Sequence, residues 1–360
     1  MSVEAGPAQS ADRAGARPAG GGTADGARMP VPPLGDLLAT LRVVAIPMRV
    51  RFRGVTTREV ALLEGPAGWG EFGPFLEYAP PEASRWLAAA VETAWEPWPD
   101  AVRAAVPVNA TVPAVAPDRV AEVLARFPGC TTAKVKVAER GQVLADDVDR
   151  VAAVREVMGR DARLRVDANG AWSVEEALVA LGRLAAHDLE YAEQPCARVE
   201  ELRDLRIALA RSGIDVPVAA DESIRRAEDP LRVRDLEAAD VVVVKVAPLG
   251  GVRAALRVVE ECGLPAVVSS ALDTSVGISS GVALAAALPS LEHACGLGTV
   301  ALLAGDVTRH PLVPERGAVA TGRVAVDAVL VDRWAAAPDR VAWWAERLTA
   351  CYPLLPEGSR

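Results

Sequence analysis

Soft metal ligands are scarce in this chain, with three histidines and five cysteines in 360 residues, and aromatic residues make up only 4% of it. The cysteines (Cys130, Cys196, Cys262, Cys295, Cys351) are odd in number and contain no CxxC pair, which excludes a zinc ribbon or a dithiol redox motif. A reduced, cytoplasmic protein is the expectation. No uncharged apolar run reaches the roughly 18 residues of a membrane span, so none is expected. The formal charge of −9 leaves no basic stripe for nucleic acid. An anionic substrate must then be attracted locally, by a metal or by a few lysines.

Apolar residues are plentiful, at 51% with Ala and Val prominent, which suits close-packed helices around short buried strands. The length accommodates a (β/α) barrel of about 250 residues and a smaller companion. Residues 1–28, rich in Gly, Ala, Pro and Ser without an apolar stretch, are expected to be a disordered tail and not a signal peptide. Alternating segments RVVAIPMRVRF and TTREVALLEG, then GWGEFGPFLEY and a helical PPEASRWLAAAVETAW, predict an α+β unit over residues 29–103. From VPVNATVP onward strand and helix alternate to residue 312, giving eight strands when LPAVVSS and LEHACGLG are counted. Ser173 with Glu176 forms a capping box at the start of one of these helices. Residues 313–360, including DRVAWWAERLTACY, are expected to return to the N-terminal unit, with Trp343 and Trp344 as packing residues.

The strand ends carry the chemistry. In AKVKVA, Lys134 and Lys136 are two residues apart, so in a strand they share a face, a costly arrangement on a buried face unless it is used. Hydrophobic runs further on end in RLRVDAN (Asp167), LEYAEQP (Glu193), VPVAADES (Asp221) and DVVVVKVAPLGG (Lys245). Their spacing is close to the roughly 30 residues of one βαβ unit, so they belong on the C-terminal rim of a parallel barrel. Singly, each carboxylate could cap a helix or pair with an arginine. Three converging carboxylates repel one another unless a cation joins them, and hard oxygen donors suit Mg²⁺, with Mn²⁺ as a substitute. Lys136 and Lys245, from distant strands, should face each other across that site as acid–base groups, provided their environment brings the amine towards neutrality. A purely neutralising role for them is the competing reading. Arg165 shares the barrel-facing side with Asp167 and either orients the carboxylates or reaches the substrate.

TAKVKVAE, RVDANGAW, YAEQP, AADESI and VKVAPLGG, in this order, resemble the enolase superfamily and its muconate-lactonising subgroup across nearly the whole chain after Met29. The resemblance implies a (β/α)7β TIM-like barrel with an α+β capping domain, that is, an α/β fold. It also implies one Mg²⁺ and abstraction of a proton α to a carboxylate to give an enediolate; lysine or histidine bases work with Mg²⁺ in this superfamily. By it, Asp167, Glu193 and Asp221 are metal ligands, Lys136 the base, Lys245 the opposite lysine and Asn169 a residue behind the ligands. The branch with a catalytic histidine after the seventh strand is disfavoured, because that position reads VVSSALDTS, and none of His187, His293 and His310 falls on the rim. His293 is expected to be buried and hydrogen-bonded.

Within the subgroup, RFRGVTTREV, GWGEFGPFLEY, VNATVP, VSSALDTSVG and HACGLGT are most similar to the o-succinylbenzoate synthase family of menaquinone biosynthesis. This implies a hydro-lyase that dehydrates 2-succinyl-6-hydroxy-2,4-cyclohexadiene-1-carboxylate to o-succinylbenzoate. N-succinylamino acid racemase is the alternative; a dipeptide epimerase would carry an Asp-rich motif where GLGTVALL stands. A catalytically silent metal-binding barrel would not need Lys136 and Lys245. The expected partner is a small carboxylate substrate. Ser269 and Ser270 are candidate donors to it, Lys134 a neighbouring charge, and the stretches Gly54–Glu59 and Trp69–Tyr78 are where a cap would reach over the barrel mouth.

Overall fold

The computed structural model describes residues 1–2, 30–52, 54–225 and 230–355, so the expected tail lies outside the described residues from position 3 onward. Strands β1 (Arg42–Phe52), β2 (Val55–Gly65) and β3 (Gly68–Phe72) form an antiparallel meander. Their alternation buries two faces. Val44, Ile46, Val60 and Leu62 pack with Val276, Leu303, Val307 and Val331, while Val43, Ala61, Leu63 and Phe72 join the main core together with the helix Pro80–Trp95. At Gly70 an added Cβ would lie 2.0 Å from the carbonyl oxygen of Ala90, so only glycine allows strand and helix to approach this closely.

The expected first barrel strand divides in two. Ala105–Pro107 (β4) pairs antiparallel with β12 (Ala318–Ala320), and the parallel sheet begins at β5 (Ala110–Val112). Pro107 has no N–H to give a central ladder, which fits its place in a two-stranded edge pair. The sheet continues through β6 (Thr132–Lys136), β7 (Arg163–Asp167), β8 (Leu189–Glu193), β9 (Val218–Ala220), β10 (Val241–Val244) and β11 (Ala266–Val268), in sequence order. Nearly all of these residues are buried, as parallel strands covered on both faces must be.

Closure does not use a full eighth strand. Cys295 and Gly296 join the two edges through single parallel bridges, Val108 to Cys295 and Ser269 to Gly296. The Cys295 N–H donates to Pro107 O at 2.8 Å, and the Gly296 N–H donates to Val268 O at 2.8 Å. A Cβ on Gly296 would stand 2.6 Å from Ser269 Oγ, so the approach that closes the barrel depends on its absence.

The helix Val174–Leu184 begins with the expected reciprocal cap: Ser173 N–H donates to Glu176 at 2.8 Å, and Glu176 N–H donates to Ser173 Oγ at 3.2 Å. The C-terminal helix Pro338–Cys351 packs on the first sheet. There Trp344 is fully buried edge-on against Phe72, at 5.6 Å between ring centres, and donates to Glu59 at 3.0 Å. Among the described residues no helix is long and apolar enough to cross a membrane, and all five cysteines are free.

Candidate active site

The register of the sheet lines up its charged ends. Lys136 pairs with Asp167, and Asp167 with Glu193, across β6, β7 and β8; Asp221 directly follows β9 and Lys245 directly follows β10. All five, with Lys134, are buried. Lys134 Nζ donates to both oxygens of Glu193, at 2.8 and 3.0 Å, and lies 3.3 Å from Asp167. Lys136 pairs with Asp167 and Lys245 with Asp221. Lys136 also donates to Asn169 Oδ1 at 2.9 Å, which places Asn169 behind the carboxylate row, with Glu222 on its other side.

The electrostatics of the row are those of crowded like charges. Burial raises the Asp167 pKa, but Lys136 and Lys134 outweigh it and hold the carboxyl well below the ordinary range. Glu193 is pushed up to about 7, first by burial and then by the charge of Asp167, against the pull of Lys134. Lys134 is shifted upward: burial works against its charge, but Glu193 and Asp167 prevail. Its bonds to Glu193 and its nearness to Asp167 make it a counter-charge to both. Among the described residues no three His, Cys, Asp or Glu side chains are gathered into a ready metal cage. Lys134 stands between two of the carboxylates and shares their charge. The donor set itself, three buried carboxylates on adjacent strand ends whose mutual repulsion helps to push Glu193 up, fits a hard divalent cation.

Lys134, Lys136, Asp167, Lys245, Ser269 and Ser270 line one cavity. Its space of about 30 Å³ holds a water or two, so an organic acid must part its walls. Grooves of about 550 and 620 Å³ lie elsewhere on the surface, and none of these six residues lines either. Converging chemistry, not size, identifies the site.

Arg165 does not line the cavity, and its direct bonds go elsewhere than to the three carboxylates. It is wholly buried but pairs with Glu190, donates to Ala294 O at 2.7 Å and lies over the Tyr191 ring at 4.7 Å, away from the cavity. A register shift between Leu164 and Arg165 inserts Glu190 as an extra residue in β8 and supplies this partner. His293 completes the group, 2.9 Å from Glu190. Ser270 bonds Thr299 Oγ1 at 2.7 Å and Gly296 O at 3.0 Å, while Ser269 sits beside it on the wall.

Sequence reasoning passed over several residues. Thr111, Leu272, Gly296 and Thr299 line the cavity, as does Phe52 of the cap; Phe75 also lines it, from the stretch Trp69–Tyr78 expected to reach over the mouth. The stretch expected as a Gly54–Glu59 loop is largely the start of β2. Phe52 lies 5.3 Å from Lys136 Nζ. Gln194 accepts from the backbone of Asp221 at 2.9 Å and of Ser223 at 3.1 Å, tying together the ends of the two strands that carry Glu193 and Asp221. Backbone conformation marks the rim: Ala138, Asn169, Gln194 and Leu272, each just beyond a strand, all have positive φ.

The Enolase C-terminal domain-like family pattern matches residues 118–325, and the Enolase N-terminal domain-like pattern matches residues 43–94. An o-succinylbenzoate synthase of Mycobacterium ulcerans is 58% identical over 89% of this chain and 96% of its own length. The o-succinylbenzoate synthase of Mycolicibacterium smegmatis is also 58% identical, over 90% and 99%. Among solved structures, a muconate lactonizing enzyme from Pseudomonas fluorescens superposes with a TM-score of 0.71 at 20% identity, over 82% of this chain and 98% of its own. An N-succinyl Arg/Lys racemase from Bacillus cereus gives 0.67 at 19%, over 82% and 97%. At such identities these last two speak for the fold alone. A seven-stranded parallel sheet closed by a two-residue bridge, a meander above its charged rim, and family patterns covering both parts make this chain a member of the enolase superfamily.

Proposed function

We infer that this chain is an o-succinylbenzoate synthase, a hydro-lyase. The observation that carries the reading is the meeting of three buried carboxylates and two strand-end lysines at neighbouring strand ends, with Lys136, Asp167 and Lys245 lining one cavity, in a chain 58% identical to curated synthases. The proposed substrate is 2-succinyl-6-hydroxy-2,4-cyclohexadiene-1-carboxylate and the product o-succinylbenzoate. Superfamily membership carries a divalent metal, and Mg²⁺ is the proposed ion, held by Asp167, Glu193 and Asp221. When bound it supplies positive charge to the substrate carboxylate as the neighbouring C–H bond ionises.

The chain's own residues do the rest. Lys136 takes the α-proton and returns a proton to the departing hydroxyl on the same face, so that water leaves and the ring becomes aromatic. Lys136 takes that proton as the neutral amine and becomes the ammonium that gives one back; Asn169 and Asp167 hold its Nζ by hydrogen bonds, which orients it towards the cavity. Lys245, anchored on Asp221, places its charge on the opposite face. Lys134 stays protonated and offsets the carboxylate row. Ser269 and Ser270 offer hydroxyls to a substrate carboxylate, and Phe52, Phe75 and Leu272 meet its apolar ring. We assign residues 29–103 and 313–360 to the cap and residues 104–312 to the barrel.

The test is a side-by-side assay of purified protein with Mg²⁺, using the cyclohexadiene acid and an N-succinylamino acid. Efficient dehydration is expected. Racemisation of the amino acid with the cyclohexadiene acid untouched would overturn the reaction while leaving the site assignments standing.

A further inference from the structure

Of the apolar residues on the cavity wall, two are held by a single side chain that does not itself line the cavity. Arg58, on β2 of the cap, is 3% exposed. Its Nε donates to Leu272 O at 3.1 Å, its Nη2 donates to Gly73 O, and its guanidinium lies 4.9 Å from the centre of the Phe75 ring. Leu272 and Phe75 both line the cavity; Arg58 does not.

Leu272 has φ +63°, a conformation that costs a leucine about 1 kcal/mol or more and persists only where its surroundings impose it. The constraint is supplied across the cap–barrel boundary. Arg58 grips the Leu272 carbonyl from one side. From the other, Glu71 on β3 accepts from the backbone of Thr274 and Gly277, both at 3.1 Å. Asp273, between these points, accepts from Ala271 N–H at 2.9 Å. Buried Asp273 and Glu71 both interact electrostatically with Arg58, whose charge draws down carboxyls that burial pushes up, Glu71 to about 8. Methionine in place of Arg58 would leave these carboxylates without their cation and Leu272 without its anchor.

We propose that Arg58 is a positioning residue for substrate binding: it fixes the apolar wall formed by Leu272 and Phe75, and so sets the fit of the organic acid, not the proton transfers at the lysines. The inference rests on the proposed synthase reading of the same cavity. Neither wall residue carries a titratable group, so disturbing them removes binding shared by ground and transition states. That kind of loss raises KM and leaves kcat nearly unchanged.

The test uses full-length, Mg²⁺-loaded protein. Arg58→Lys keeps the charge that balances Glu71 and Asp273 but cannot serve both Leu272 and Gly73 with the same planar fork. It is expected to raise KM about 10-fold with kcat within about threefold, the signature of lost uniform binding. Phe75→Leu should raise KM similarly. Because Arg58 acts through the wall, the double variant should be little worse than the weaker-binding single one, the non-additivity of residues in one network. Product binding by calorimetry should weaken in parallel in Arg58→Lys, a readout that does not depend on turnover. An unchanged KM and product affinity, a fall confined to kcat, or multiplicative effects in the double variant would overturn the proposal. Wild-type protein that fails to dehydrate the cyclohexadiene acid would instead indict the synthase reading. Should Arg58→Met fail to fold, Arg58→Lys still decides the matter.

Discussion

Strands β7 and β8 carry two groups of buried charge that look alike and differ in use. At the rim, Asp167 lines a cavity with Lys134 and Lys136, and Lys134 also holds Glu193; in the barrel interior, Arg165, Glu190 and His293 face one another. The interior group is closed by short local bonds. Glu190 is held down at about 2: burial pushes it up, but the His293 hydrogen bond and the Arg165 charge prevail. The rim group cannot settle in this way, because its carboxylates crowd one another and Glu193 is driven up to about 7 by burial and Asp167. Burial and charge therefore do not mark a catalytic group; unresolved repulsion beside an accessible space does.

The largest effects should come from the rim. Asp221→Ala, or chelation of the wild type, is expected to lower kcat/KM by about 10³-fold or more, since several kcal/mol of charge stabilisation depend on the cation. Full activity in Asp221→Ala with chelator present would dismantle the metal assignment. Next come the two lysines. Lys136→Arg should abolish dehydration and any racemisation, because arginine does not readily release a proton. Lys245→Arg should keep measurable dehydration while losing racemisation, with retained product binding showing that the larger side chain still admits the acid. Equal loss in both variants would mean that both faces take part in the dehydration.

The interior group should respond in stability, not chemistry. Arg165→Met leaves Glu190 without its buried cation and is expected to cost about 3–5 kcal/mol. Urea unfolding measures this, and kcat of the folded fraction should change little. A kcat collapse in well-folded Arg165→Met would erase the distinction between the two groups. The smallest effect is in acid. In the folded protein the Glu190 carboxyl is held down at about 2, below its ordinary value of 4.5. The folded state thus holds fewer protons between these values, and the stabilisation is present above the unfolded pKa and lost as pH falls through the folded one. Glu190→Gln should therefore flatten the acid limb of stability between about pH 4.5 and 2, as read by denaturant midpoints across that range.

Local rules made the barrel and its rim legible before any coordinates. A strand side chain alternates with period two and a βαβ unit has a characteristic length, so Lys134, Lys136, Asp167, Glu193, Asp221 and Lys245 could be placed on one rim from spacing and type. The Ser173 cap could be read for the same reason, as its partner is three residues away. What the sequence could not decide were contacts between distant parts of the chain. Parity put Arg165 on the face of Asp167, yet its use depends on a register shift in the neighbouring strand and on Ala294. The eighth strand shrank to Cys295 and Gly296 because closure is set by the space left between two barrel edges. The stretches holding Arg58 and Phe75 could be named as those that reach over the barrel mouth, but which of their side chains meet the cavity wall, and that Phe52 joins them, was decided by how the cap rests on the barrel, and no periodicity within a segment encodes where another, some 200 residues away, will rest.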